Sequence, residues 1–240
     1  MPNTLSIVIP TYNERENILK LIKSLGEELA KNSIKYELVI VDDNSPDGTA
    51  ELCEKISKKR KNIIVIKRPG KLGLSSAVID GFKKARGGVI GVMDADFSHP
   101  VSAIPRMFNE IEKGADLVIG SRYAGGGSTK GWPVKRKITS WGATMIAKMF
   151  TKIRDPVSGL LMFRRGAIDN VRLSPIGYKI GLEIIVKGNY NRVAEIPYVF
   201  VNRKIGKTKL DAREYVNYLK QIASLVAYRM SRKVKIRSGA

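Results

Sequence analysis

Short apolar runs alternate with longer segments of helical spacing along the first 120 residues of the chain. Each run is typical of a buried β-strand, and each segment with apolar residues three or four positions apart is typical of an amphipathic helix. Strands are predicted at residues 5–10, 36–41, 62–67, 89–93 and 116–120, and helices at 12–31, 49–58, 75–85 and 103–112. Unbroken valine- and isoleucine-rich strands separated by helices predict an α/β fold, in which a mostly parallel sheet carries helices on both faces.

Two later segments combine helical spacing with many lysines and arginines. Ile138, Trp141 and Met145 recur at helical spacing among basic residues in the segment 133–152, and residues 215–230 show the same mixture. A helix of this kind lies on a membrane surface when its apolar face is open, and completes a core when that face packs inward. The pattern leaves both interpretations open. We expect one α/β domain over residues 1–210, which includes the segment 133–152, and a basic amphipathic C-terminal helix and tail over 211–240.

Positive charge is concentrated in these same parts of the chain. The formal net charge is +21, and residues 130–154 contain seven Lys or Arg without an acidic residue. Residues 203–240 contain eleven Lys or Arg against two acidic residues. A solvated surface would mix the two signs, so segments of one sign indicate an anionic partner. A phosphorylated substrate, an anionic lipid surface and a nucleic acid all fit this description.

Length and cysteine content narrow the class of protein. The 240 residues, 43% of them hydrophobic, are enough for one α/β domain with a full core. Cys53 is the single cysteine, which excludes an internal disulfide and indicates a buried apolar role. No apolar run is long enough to cross a bilayer and no signal peptide precedes the first strand, so we expect no transmembrane segment in this chain.

The sequence Asp94-Ala95-Asp96 follows the predicted strand 89–93 directly. Side chains two positions apart on a strand point the same way, so the two carboxylates are expected side by side at the strand end. Such a pair repels itself unless a cation lies between the two groups, and oxygen ligands suit a divalent metal. The carboxyl ends of strands are also where open α/β sheets bind ligands.

Polar residues follow the first two strands as well, at the edge of the sheet where Asp94 and Asp96 are expected. Tyr12 and Glu14 come after the first strand, and the adjacent carboxylates of Asp42 and Asp43 come after the second. Two carboxylates at the top of a central strand are costly unless something binds them. The dinucleotide spacing Gly-x-Gly-x-x-Gly is absent, which argues against Rossmann-type redox chemistry. Three polar clusters at one sheet edge predict a site for a nucleoside diphosphate and a metal.

The chain resembles the inverting family 2 glycosyltransferases, which have a Rossmann-like GT-A fold, and within them the dolichol-phosphate mannose synthases. The resemblance covers residues 4–228. Its motifs lie at residues 6–14, 41–49, 94–100, 120–123, 131–138, 155–159 and 201–210.

The resemblance implies a role for individual residues. The positions that match the binding site for the guanosine part of GDP-mannose are Pro10, Tyr12, Glu14, Val41 and Asp43. The positions that match the metal and diphosphate motif are Asp94, Ala95 and Asp96, with Asp96 expected to be the direct ligand of Mg²⁺ or Mn²⁺. Ser98 replaces a glutamine that serves as a further ligand in some members. Basic residues around the donor and acceptor phosphates are implied at Arg122, Arg136, Arg203 and Lys209.

An acceptor of the polyprenyl phosphate class explains why no general base stands out in the sequence. A phosphate monoester has a second pKa of about 6 and is largely deprotonated at neutral pH. It requires orientation and charge masking, which Arg and Lys supply. The lone histidine, His99, is therefore interpreted as a structural residue, and the glycine-containing segment 203–209 as a loop that closes over the nucleotide.

The resemblance thus implies transfer of mannose from GDP-mannose to dolichyl or another polyprenyl phosphate, with inversion. We expect a peripheral enzyme on the cytoplasmic face of a membrane, held at an anionic surface, with no nucleic acid as partner. One alternative keeps the fold and the lipid acceptor but uses another donor such as UDP-glucose. A second alternative, of another class, is a non-enzymatic basic module that binds nucleic acid or lipid; it does not require clustered carboxylates at a sheet edge.

Overall fold

A seven-stranded sheet forms the centre of the molecule. The computed structural model describes residues 4–202 and 212–237. The strands are β1 (Leu5–Thr11), β2 (Tyr36–Asp42), β3 (Ile63–Lys67), β4 (Val89–Val92), β5 (Leu117–Ser121), β6 (Ser128–Lys130), β7 (Leu161–Arg164), β8 (Val193–Pro197) and β9 (Val199–Val201). The helices are α1 (Arg15–Lys31), α2 (Thr49–Ser57), α3 (Leu74–Lys84), α4 (Ala103–Glu112), α5 (Val134–Ala147), α6 (Ile180–Lys187) and α7 (Ala212–Arg237).

The sheet is mostly parallel, which confirms the predicted fold class. Its strand order is β3-β2-β1-β4-β7-β5-β8. β1 runs parallel to both β2 and β4, and β5 runs parallel to β8. β7 is antiparallel to both of its neighbours, β4 and β5. The separate pair β6 and β9 is parallel. The strands β6 to β9 were not predicted from the sequence.

Two hydrophobic layers cover the two faces of the sheet. In β1 the side chains of Ile7 and Ile9 pack into one layer with α1, α2 and α4, while Val8 packs into the other with α3 and α6. This follows from the alternation of side chains along a strand. Cys53 is fully buried in the first layer, as its sequence context indicated, and burial raises the pKa of its thiol to about 12.

The loop after β1 is longer than predicted, because α1 begins at Arg15 rather than at Tyr12. Asn13 has a φ of 56°, which lies outside the helical region. The backbone N–H groups of Asn13 and Glu14 donate to the hydroxyls of Ser45 and Thr49, at 2.9 and 3.1 Å. These bonds tie the ends of β1 and β2 together and hold residues 12–14 at the sheet edge.

Helices α5 and α7 pack together beyond this edge around a third, small hydrophobic cluster that contains Ala147, Phe150 and Leu225. The hydroxyl of Tyr218 on α7 donates to the carbonyl of Ala143 on α5, at 2.6 Å. One side of α5 therefore completes a core. No helix within residues 4–202 and 212–237 is both long enough and apolar enough to cross a membrane.

The opposite side of α5 is open to solvent. Ile138, Trp141 and Met145 are 63%, 62% and 46% exposed, respectively. The packed side of α5 confirms the core interpretation, and its exposed side leaves the membrane interpretation a prediction.

Candidate active site

The carboxyl ends of β1, β2, β4 and β5 open into one cavity of about 830 Å³. This is the edge at which the sequence predicted a site. The cavity is lined by ten of the predicted site residues: Pro10, Tyr12, Glu14, Asp43, Asp94, Ala95, Asp96, Ser98, Arg122 and Arg136. Residues from five motifs that are far apart in the chain thus line a single cavity.

Three predicted residues are not part of this group. Val41 is fully buried, and its side chain packs in the hydrophobic layer with α3 rather than at the cavity wall. Arg203 and Lys209 lie outside the described residues, and so does the proposed loop at 203–209. Their roles remain predictions.

The acidic corner of the cavity lies just after β4. The backbone N–H of Ser98 donates to Oδ1 of Asp96 at 3.0 Å, which fixes this carboxylate in a tight turn. Ser98 Oγ is buried and has no hydrogen-bond partner in the part of the chain that the structure describes. Two carboxylates and an orphaned hydroxyl form a set of hard oxygen donors, which fits Mg²⁺ or Mn²⁺.

The protein offers few ligands of its own to such an ion. Within residues 4–202 and 212–237, no three His, Cys, Asp or Glu side chains are grouped as metal ligands. A cation held here would therefore take its remaining ligands from water and from the phosphates of a bound nucleotide, as Mg²⁺ commonly does.

His99 packs next to Asp94 in this acidic corner. Its side chain is almost fully buried, and its Nδ1 accepts a hydrogen bond from the backbone N–H of Asp94 at 3.4 Å. The rings of Tyr198 and Phe200 meet it edge-on, each 5.6 Å from its centre. Burial lowers the pKa of His99, which favours the neutral ring required for Nδ1 to accept. The geometry supports the structural role expected for this residue.

The two adjacent carboxylates after β2 have different environments. Asp42 is fully buried and accepts hydrogen bonds from the backbone and hydroxyl of Ser45 and from the hydroxyl of Thr11. These bonds satisfy it without a ligand. The sequence-based expectation that both carboxylates require a bound group therefore does not hold for Asp42, because the turn after β2 folds back onto it.

Asp43 faces the cavity but is anchored by a residue that the sequence did not single out. Its carboxylate forms an ion pair with Arg68, and it accepts a hydrogen bond from the backbone N–H of Gly73 at 2.8 Å. Arg68 also donates to Ser76 Oγ at 2.7 Å. The pair is almost completely buried. It fixes the loop before α3, from which Lys71 reaches over the ring of Tyr12 with its Nζ 4.4 Å from the ring centre.

A second buried ion pair joins Arg122, which lines the cavity, to Asp155. Asp155 is fully buried, and Arg122 is 6% exposed. Oδ2 of Asp155 accepts from the backbone N–H and the Nε–H of Arg122, at 2.9 and 2.7 Å, and Oδ1 accepts from Nη2 at 2.6 Å. Burial disfavours the charge of Arg122, but these hydrogen bonds and the charge of Asp155 raise its pKa above the usual value. The guanidinium is thus rigid and permanently charged.

Lys179 adds a cation that the sequence did not suggest. It immediately precedes α6, lines the cavity and donates from Nζ to the carbonyl of Val157 at 3.2 Å. Burial and the neighbouring charge of Arg122 lower the pKa of Lys179 to about 8. The sequence around residues 175–180 does not indicate that this lysine lines the cavity. Only the packing of α6 against residues 155–159 brings it there.

Another part of the cavity lining is apolar. It continues between α5 and α7, where Ala143, Ile146, Tyr218 and Leu219 line it. The cavity therefore has an acidic corner, a basic part and an apolar part.

The family model of glycosyl transferase family 2 matches residues 6–172. A dolichol-phosphate mannosyltransferase of Pyrococcus furiosus is 44% identical over 227 residues, which are 93% of this chain and 64% of that protein. The chain thus spans just under two thirds of the length of that relative. Two further dolichol-phosphate mannosyltransferases are each 35% identical over 93% of the chain: that of Mycosarcoma maydis, of which 79% is covered, and that of Saccharomyces cerevisiae, of which 87% is covered.

Solved structures support the fold independently. Glucosyl-3-phosphoglycerate synthase of Mycobacterium tuberculosis, in complex with Mn²⁺, UDP and phosphoglyceric acid, aligns with a TM-score of 0.64 at 17% identity. The alignment covers 95% of this chain and 78% of that one. The same enzyme in complex with Mg²⁺ and UDP aligns with a TM-score of 0.65. The sheet with its antiparallel β7 is thus a GT-A-like fold, and with the family match and the curated relatives it follows that the chain belongs to glycosyl transferase family 2.

Proposed function

We propose that this protein transfers mannose from GDP-mannose to dolichyl phosphate or a related polyprenyl phosphate, with inversion at the anomeric carbon. The observation that carries the proposal is that one cavity is lined by carboxylates, by several cations and by apolar side chains. A sugar nucleotide with its cation suits the first region, a phosphate suits the second, and a lipid chain suits the third. The curated relatives are named for transfer of mannose to dolichol phosphate, which supports this acceptor and this sugar.

The donor would occupy the edge of the sheet. Glu14 and Asp43, which line the cavity, would bind hydroxyl and amide groups of the nucleoside, and Tyr12, with Lys71 against its ring, would offer an aromatic face. Asp94 and Asp96 would hold the divalent cation. When bound, that ion neutralises the negative charge that develops on the departing diphosphate.

The acceptor would bring its own nucleophile. Its phosphate is already largely deprotonated at neutral pH, so the chain needs no general base, and the neutral, buried His99 is not in a position to serve as one. Arg122, Arg136 and Lys179 would instead bind and orient the phosphate oxygens. A phosphate oxygen then forms the new bond to the anomeric carbon as GDP leaves from the opposite side, which inverts the configuration.

A membrane surface is the partner that fits the exposed side of α5. Ile138 and Trp141 face solvent there, between the cations Lys135, Lys137 and Lys148. Apolar residues bordered by cations are typical of helices at an anionic interface, where each Lys or Arg contributes about 1 kcal/mol. We propose peripheral binding at the cytoplasmic face, where the apolar part of the cavity would receive the lipid chain of the acceptor.

The donor assignment is tested by titration calorimetry with GDP-mannose, GDP and UDP-glucose, each with and without Mn²⁺. We expect metal-dependent binding of the guanosine ligands alone, followed by transfer of mannose to a polyprenyl phosphate. Preference for the uridine ligand would move the donor to UDP-glucose, and absence of any nucleotide binding would contradict the enzyme assignment.

The membrane assignment is tested by co-sedimentation with vesicles that contain phosphatidylserine. We expect the paired substitution Ile138→Asp and Trp141→Asp to abolish binding while GDP affinity stays unchanged. A matched control is Leu19→Asp, because Leu19 is also an exposed apolar residue, 41% accessible, but lies on α1 away from α5. Equal loss of binding in both variants would contradict a specific role of α5.

A further inference from the structure

The aromatic ring of Trp132 stacks against two arginines of the cavity. The guanidinium carbon of Arg136 lies 4.2 Å from the ring centre and that of Arg122 lies 5.3 Å from it. Trp132 is only 8% exposed and lines the cavity. Phe200 meets its ring edge-on at 5.1 Å, with an angle of 76° between the planes. One buried ring thus contacts both arginines that line the basic part of the cavity.

The two arginines are held in different ways. Arg122 is fixed by three hydrogen bonds to the buried Asp155, so its position does not depend on the ring. Arg136 is half-buried at the start of α5, and Nη1 donates to Oδ1 of Asn202 at 2.9 Å. Its guanidinium also has the closest approach to the ring of Trp132. Loss of the ring should therefore displace Arg136 far more than Arg122.

The indole N–H of Trp132 takes no part in this arrangement. It is buried and has no hydrogen-bond partner among residues 4–202 and 212–237. The ring is therefore held by packing and by its contacts with Phe200 and the arginines. The part of the ring that contacts the arginines is its π face. A phenyl ring at this position would keep that face and would remove an unsatisfied donor.

We infer that Trp132 is a positioning residue, which holds the guanidinium of Arg136 beside the buried pair of Arg122 and Asp155 so that both arginines meet one phosphate monoester. This inference rests on the proposed function, because the phosphate monoester is that of the acceptor. Two guanidinium groups repel each other, and the π face attracts both, so the ring lowers the free energy needed to keep them together. Asp155 compensates one of the two positive charges, and the bound phosphate would compensate the other.

The inference is tested by calorimetry of the full chain with farnesyl phosphate, a short and soluble polyprenyl phosphate, with GDP titrated in parallel. We expect Trp132→Leu to weaken the binding of farnesyl phosphate about 10- to 30-fold, as befits loss of a desolvated cation–π contact. Trp132→Phe should weaken it less than about 3-fold. GDP affinity should change little in either variant.

A double-mutant cycle with Arg136→Ala separates positioning from a general structural effect. If Trp132 acts through Arg136, Trp132→Leu should weaken binding less than about 2-fold further in the Arg136→Ala background, because interacting residues are not additive. Phe150→Leu is the matched control. Phe150 is also a buried ring in contact with an arginine, Arg229, but this pair does not line the cavity. This control should leave farnesyl phosphate affinity within about 2-fold of the wild type, because the ring that it removes does not touch the phosphate site.

Three results would overturn the inference. Additive effects of the Trp132 and Arg136 substitutions would mean that the ring does not act through this arginine. Equal losses in Trp132→Phe and Trp132→Leu would mean that the indole N–H, and not the π face, matters. Equal losses of GDP and farnesyl phosphate affinity would indicate general unfolding of the site. Failure of the wild-type chain to transfer mannose would count against the proposed function alone, because the cycle is measured by binding.

Discussion

The substitution Asp155→Asn tests how far the site depends on one buried ion pair. Asparagine keeps the shape of the side chain but removes its charge. Arg122 would then be left as a buried cation without its counter-charge, since it is 6% exposed in the structure. The substitution also weakens the three hydrogen bonds that Asp155 accepts from Arg122.

The expected magnitude is large for a single change. Removal of one partner from a buried ion pair typically costs about 3–5 kcal/mol of the free energy of unfolding, because the other charge stays desolvated. For a chain of this size, each kcal/mol lowers the melting temperature by about 2–4 °C. Asp155→Asn should therefore lower the melting temperature by about 6–20 °C.

Thermal unfolding followed by circular dichroism measures the effect directly. A second variant separates stability from function: Arg122→Met combined with Asp155→Leu removes both charges and should recover most of the lost stability, as apolar replacements of buried pairs commonly do. The double variant should not transfer mannose, because no guanidinium remains at this position. A drop of less than about 1 kcal/mol in Asp155→Asn would refute the reasoning, and so would active transfer by the double variant.

Three further predictions follow from buried groups near the cavity. The pKa of Lys179 is about 8, so its charge is lost as the pH rises through that value. The affinity of the wild type for farnesyl phosphate should therefore fall between pH 7 and 9. The affinity of Lys179→Met should not change over this range. Arg68→Met should lower the free energy of unfolding by about 3–5 kcal/mol in urea titration, because Asp43 loses its buried partner, and should weaken GDP binding. Gly81→Ala should cost about 1–3 kcal/mol, since the added methyl group would collide with Val8 beneath α3, whereas Gly142→Ala meets no atom within 4 Å and should not destabilise.

Each of these predictions has an outcome that would contradict it. An unchanged pH profile in Lys179→Met would show that another group titrates. For Arg68→Met the control is Lys67→Met, which breaks an exposed ion pair with Glu51 and should leave stability nearly unchanged; equal effects of the two would contradict the role of burial. Equal melting temperatures of Gly81→Ala and the wild type would mean that α3 can move away from the sheet.

Local patterns in the sequence were enough to predict the first five strands and the four helices between them. β1 to β5 and α1 to α4 were all predicted, with ends within about three residues of those in the structure. Their signal is local, because a buried parallel strand must be apolar throughout and a covering helix must carry an apolar stripe. The placement of the site at the carboxyl ends of the strands followed from the same order of elements.

The antiparallel strand β7 could not be predicted in this way. Residues 161–164 form a short apolar stretch, and nothing local states that it inserts between β4 and β5 in the opposite direction. Its place depends on the long connection through α5 and on pairing with strands at least 40 residues away. Such long-range pairing is decided by the packing of the whole sheet.

The sequence by itself determined which residue types meet at the sheet edge, because the strand order brings Tyr12, Asp43, Asp94 and Asp96 to one place whatever the details of packing. Only the tertiary structure decided what each group does there. Asp42 is satisfied by its own turn, Asp43 is anchored by Arg68, and Arg122 is anchored by Asp155. These partners lie 3 to 33 positions apart in the chain. The physical reason is that electrostatic energies depend on burial and on distances of a few ångströms, which the order of residues along a chain does not contain.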